Sequence, residues 1–88
     1  MTELEIFARD IIDSGGEFWT LETCTKGKLA KTVTHYMVRG HEYNEVRFHV
    51  FNMEGKRIFV DTSLTTARAV YNSMIEGSEK NEEVRKTV

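Results

Sequence analysis

Arginine, histidine and phenylalanine alternate with other residues over two short stretches of this chain, Arg47-Phe48-His49-Val50-Phe51 and Arg57-Ile58-Phe59. In extended backbone alternate side chains share a face, so Arg47, His49, Phe51, Arg57 and Phe59 can line one side of a hairpin. Rings that stack on bases beside guanidiniums that meet phosphates are the chemistry of single-stranded RNA or DNA binding. The same set can also satisfy itself. Arg47 would then pair with Asp61 across the strands and Arg57 would lie over the Phe51 ring. As an apolar patch it could equally face a protein. These five residues are the candidate binding residues.

Other reactive types are present without a pattern that uses them. The run His41-Glu42-Tyr43-Asn44-Glu45 lacks the second histidine, four residues on, that a helical zinc site needs. His35, His41 and His49 read as ordinary polar residues, and no metal or cofactor is expected. A small ribonuclease would need an acid–base pair beside a phosphate-binding cation. His35, Glu45, Arg47 and His49 supply the types but no recognisable arrangement, so no catalytic residue is assigned. Gly15-Gly16 follows a helix pattern, the wrong side for a helix N-terminus to hold an anion. Cys24 is the only cysteine, which rules out an intramolecular disulfide and fits a reducing compartment. It reads as a small buried hydrophobe.

The elements that position these residues follow from periodicity. Leu4, Phe7, Ala8, Ile11 and Ile12 fall on one helical face. Thr2 and Glu5 have capping-box spacing before it, and Ser14-Gly15-Gly16 ends it. From Glu17 to Asp61 the residues become aromatic, β-branched and threonine-rich. This predicts strands near 17–25, 29–38, 45–52 and 56–61. The turns are Lys26-Gly27-Lys28 and Asn52-Met53-Glu54-Gly55, with a longer loop over Arg39–Asn44. In the last hairpin, Gly55 in the left-handed conformation pairs Asn52 with Lys56, Val50 with Ile58 and Phe48 with Val60 on a core face. Phe51 then opposes Arg57, His49 opposes Phe59 and Arg47 opposes Asp61. The first hairpin has two possible registers, one setting Leu21 opposite Val33 and Trp19 opposite His35, the other Glu22 opposite Lys31. Thr62 or Ser63 caps a second helix carrying Leu64, Ala67, Tyr71, Met74 and Ile75 on one face, with Gly77 as its C-cap.

The expected fold is α+β: a four-stranded antiparallel meander with an N-terminal and a C-terminal helix packed on one face, leaving the other face open (α-β-β-β-β-α). Residues 1–77 form the single domain allowed by 88 residues, and 78–88 form a polar, frayed tail. Charge is uneven: residues 1–23 carry one cation against six carboxylates, and 24–60 carry seven cations against three. The acidic start at Met1–Asp13 is unlike a signal peptide, and no apolar run approaches the roughly 20 residues of a membrane span. A cytoplasmic protein is expected.

The α-β-β-β-α order resembles the double-stranded-RNA-binding domain. That family opens its second helix with a lysine cluster, whereas Thr62-Ser63-Leu64-Thr65-Thr66 opens this one and Arg68 is its only cation before Gly77. The first helix is acidic and there is one strand too many, so the comparison argues against duplex binding. A compact, motif-poor domain of this kind also resembles, in style, the accessory and inhibitor proteins of phages and mobile elements. The expected function is therefore non-enzymatic. It is stoichiometric binding to another protein, with a possible homodimer through an unpaired sheet edge. Single-stranded nucleic acid on the open face is the alternative, and no membrane partner is expected.

Overall fold

A computed structural model describes the backbone of residues 1–87 and the side chains through Glu76. The order is α1 (Glu3–Asp13), β1 (Glu17–Cys24), β2 (Gly27–Val38), β3 (His41–Asn52), β4 (Arg57–Asp61) and α2 (Leu64–Thr87). The strands form one antiparallel sheet in the order β1-β2-β3-β4, the meander expected from the short connections. α2 runs on through Gly77, so the C-cap expected there does not occur; of the tail expected over 78–88, only the backbone to Thr87 is described.

Both helices begin where their caps predict. Thr2 Oγ1 accepts from the Glu5 amide (3.2 Å), and the Ser63 hydroxyl accepts from the Thr66 amide (3.3 Å). Each satisfies a donor that the first helical turn leaves free. Asp61 Oδ1 adds hydrogen bonds from the Thr62 and Ser63 amides, fixing the turn from β4 into α2. Asp61 is therefore not the ion-pair partner expected for Arg47.

Two β-bulges change the expected registers. Phe51 faces Arg57 as predicted, and Gly55 takes the expected positive φ (78°). Ile58 is then an extra residue, so Val50 pairs with Phe59, His49 with Val60 and Phe48 with Asp61. A bulge moves every later residue on its strand to the opposite face. The first hairpin closes on Cys24 opposite Gly27 and shifts at Leu21, so Glu22 faces Leu29 and Trp19 faces Lys31. Neither expected register occurs there.

The bulge in β4 aligns Phe59 with Val50 on the face that α2 covers. Leu29 and Val50 are buried against Ala67 and Tyr71, with Phe48, Phe59, Leu64, Met74 and Ile75 packed around them. All five apolar positions predicted on α2 join this core. Burying each large aliphatic side chain contributes about 1.5–3 kcal/mol.

The opposite face is not open. Phe7 of α1 packs on it, with ring centroids 6.1 Å from Phe18, 5.0 Å from His49 and 6.1 Å from Phe51. Ala30 and Phe51 are wholly buried there and Thr32 and His49 nearly so. The two helices thus lie on opposite faces, which corrects the expectation that they share one. The cause is legible in β3, where Phe48 and Val50 point one way and His49 and Phe51 the other. Both sets are bulky enough to need a cover. The cover by α1 is narrow. Leu4, Phe7, Ala8 and Ile11 are partly buried, while Ile12, expected on the packed face, is exposed.

Candidate functional site

Four of the five candidate binding residues come together. Arg47, His49, Phe51 and Arg57 share the α1 face, whereas the Ile58 bulge sends Phe59 to the α2 core. The rings that were to stack on bases are enclosed, since Phe51 is wholly buried and packs on Phe7 and His49. Arg57 lies over Phe7, 5.2 Å from the ring centroid, and not over Phe51. Arg47 pairs with Glu45 on its own strand. The cluster is largely self-satisfied, by partners other than those the sequence suggested.

His49 is the unusual member. It shares a 2.8 Å hydrogen bond between Nε2 and Thr32 Oγ1, while its Nδ1 has no partner among the described residues. Burial, and then the positive charges of Arg57 and Arg47, push its pKa down to about 4. It is therefore neutral near pH 7. A cavity of about 200 Å³ between α1 and the sheet is lined by His49, Arg47, Arg57, Thr32, Phe7 and Ile11, among others.

Cys24 is exposed at the end of β1, contrary to the buried role expected. The Tyr71 hydroxyl donates to its Sγ (3.4 Å). That bond, together with the Lys26 backbone amide, lowers the thiol pKa. Burial and the same contact push Tyr71 up to about 12. Among the described residues no three His, Cys, Asp or Glu side chains are placed to hold a metal ion. Among the described residues no helix is long and apolar enough to cross a membrane.

The largest departure from expectation is the loop over Arg39–Asn44, which is strand. The turn is only Arg39-Gly40, with φ of 51° and 81°, and the pairing of β2 with β3 continues to Val38 opposite His41. Positive φ at both central residues is the type I′ hairpin turn. Arginine at its first position is uncommon, because a Cβ is disfavoured there.

β1 follows β2 only to Val33, and β4 follows β3 only to Phe48. From Thr34 opposite Glu45 outward, the chain is therefore a two-stranded ribbon. Its five residue pairs span about 17 Å at the usual strand rise. Tyr36 and Tyr43 stack on one of its faces, with centroids 5.7 Å apart and planes 20° from parallel. Tyr36, Met37, Val38 and Tyr43 are 46, 65, 46 and 47% exposed. At its base His35 Nδ1 donates to Asn44 Oδ1 (2.5 Å), with Glu17 and Glu42 carboxylates 3.8 and 3.9 Å from its ring nitrogens. None of the five candidate residues is on this ribbon.

Comparison with known proteins returns no matching family model, no matching curated protein and no matching solved structure.

Proposed function

We propose that this protein is a non-enzymatic, cytoplasmic binding protein that acts by stoichiometric contact with another protein through its β2–β3 ribbon. The observation that carries this reading is the ribbon's exposed apolar surface, with Tyr36, Val38 and Tyr43 together on one face and Met37 on the other, beyond the part of the sheet flanked by β1 and β4. Scattered apolar residues on a surface need no explanation, but a contiguous group on a projecting element does. Tyrosine and methionine are also residue types enriched where proteins meet. A two-stranded ribbon presents both a face of side chains and two edges of unpaired backbone groups, the two means by which a partner strand is recognised. Regulation or inhibition by occupying a partner's surface fits such a module.

Single-stranded nucleic acid on the Arg47–Phe51 face loses its main support, because the rings are enclosed beneath α1. The test is affinity capture of the tagged protein from its native host, with half the lysate treated with nuclease. A protein retained at fixed ratio in both halves supports the reading. Retention only in the untreated half overturns it and returns nucleic acid to first place.

A further inference from the structure

We propose that a second copy of this chain docks on the free edge of β3, pairing antiparallel about a twofold axis at Tyr43. This rests on reading the ribbon as a protein-binding surface. A chain that proves monomeric would remove the second copy and leave a different protein partner in place.

The edge itself is defined by hydrogen bonding. The Asn52 amide donates toward β4, to the Lys56 carbonyl (2.9 Å). The register of β2 on β3 is unbroken from Gly27 opposite Asn52 to Val38 opposite His41. Alternation therefore points the backbone groups of Glu42, Asn44 and Val46 to the same side. β4 stops opposite Phe48, so nothing in the sheet meets them. A row of unpaired donors and acceptors on a flat strand is a template for strand addition.

The sequence of that edge is self-complementary in one register. With Tyr43 opposite Tyr43 of the partner subunit, Glu42 meets Asn44 of the partner subunit and His41 meets Glu45 of the partner subunit, each twice by symmetry. A shift of the axis to Asn44 sets His41 against Arg47 of the partner subunit and Tyr43 against a carboxylate. A shift to Glu42 sets two glutamates against each other. Cross-strand pairs of opposite charge stabilise a sheet and like charges oppose it. The favoured register also carries the ribbon tip to the end of the partner's β4, where Arg39 comes opposite Arg47 of the partner subunit and beside Asp61 of the partner subunit. The notch left by the short β4 is thus filled by the partner's ribbon.

The other free edge lacks this property. A twofold axis at Tyr36 on β2 sets His35 against Met37 of the partner subunit and Thr34 against Val38 of the partner subunit, with no charge complementarity. Pairing through β3 also joins the Tyr36–Tyr43 stack of each copy into one four-ring surface, larger than either copy presents alone. That surface, on the same face as α1, remains available to the heterologous partner.

The experiment is sedimentation velocity on the full chain. The wild type, Glu45→Lys, His41→Glu and an equimolar mixture of the two variants are compared. The wild type is expected to dimerise. Each variant alone places like charges at both symmetric pairs and is expected to weaken the dimer by roughly tenfold or more. The mixture restores it, because Lys against Glu and His against Glu are then both attractive. A monomeric wild type overturns the proposal, as does a dimer indifferent to both substitutions. Two monomeric variants that fail to recover on mixing overturn the register. Should either variant fold poorly, Tyr43→Cys in a Cys24→Ser background decides instead. Facing residues of a non-hydrogen-bonded antiparallel pair lie close enough to form a disulfide. Oxidation is therefore expected to yield a covalent dimer, and its absence overturns the axis.

Discussion

Replacing Phe51 by alanine separates a covered face from an open one. On an open sheet Phe51 would be a binding residue, and its loss would weaken a ligand while leaving the fold intact. In the structure it is wholly buried, packed between Phe7 of α1 and His49. Truncating such a ring costs about 3–5 kcal/mol, combining lost transfer energy with the cavity left behind. A domain of this length has a total stability of only about 4–13 kcal/mol. The variant therefore loses about a quarter or more of its stability, and its midpoint falls by roughly 12 °C or more at 4–8 °C per kcal/mol. Urea unfolding followed by circular dichroism measures this, with Met53→Ala, at an exposed turn, as a control expected to change by less than about 0.5 kcal/mol. Phe7→Ala should also destabilise. The double variant should lose less than the sum of the two, because the rings meet each other. A change below about 1 kcal/mol for Phe51→Ala would refute the covered face and restore the open, base-stacking surface.

Three further outcomes follow from the geometry. His49 has a folded pKa of about 4 against an ordinary 6.5, so the unfolded chain binds its proton first and stability falls as pH drops below about 6.5. That loss approaches roughly 3 kcal/mol by pH 4 at 1.36 kcal/mol per unit. Urea midpoints between pH 7 and 4 should show a steeper decline in the wild type than in His49→Gln. A Cβ at Gly27 would lie 2.5 Å from Met74 Cε and closer still to the Phe51 carbonyl oxygen. Gly27→Ala is therefore expected to cost about 1–3 kcal/mol by thermal unfolding. The Cys24 thiol, lowered in pKa by the Tyr71 hydroxyl, should react with a disulfide reagent faster at neutral pH than in Tyr71→Phe. Equal rates would show that the hydroxyl does not stabilise the thiolate.

Much of the fold was legible because it rests on local rules. Helix starts at Thr2 and Ser63, the apolar stripe of α2 and the pairing of Phe51 with Arg57 all follow from spacing within a few residues. The two bulges were not legible, since Leu21 and Ile58 are good strand residues and nothing in their type marks an extra position. Ile58 alone moved Phe59 from the candidate site into the core. The covering of the second face was partly visible, because His49 and Phe51 form a bulky set that needs a partner and Phe7 was already on a helix face. The ribbon was hidden by composition. Arg39-Gly40-His41-Glu42 is polar and contains glycine, so it resembles a loop, although Tyr36 and Tyr43 sit symmetrically about Arg39-Gly40. That symmetry was the available signal.

Binding to another protein through the ribbon is the proposal on which the function rests. Its most direct test is capture from nuclease-treated host lysate with wild-type protein and with a Tyr36→Ser/Met37→Ser variant, both first shown to have matching urea midpoints. One protein is expected to be retained stoichiometrically by the wild type and lost from the variant, because the substituted residues are exposed and belong to the ribbon. A partner retained equally by both would place binding elsewhere on the molecule and overturn the role proposed for the ribbon.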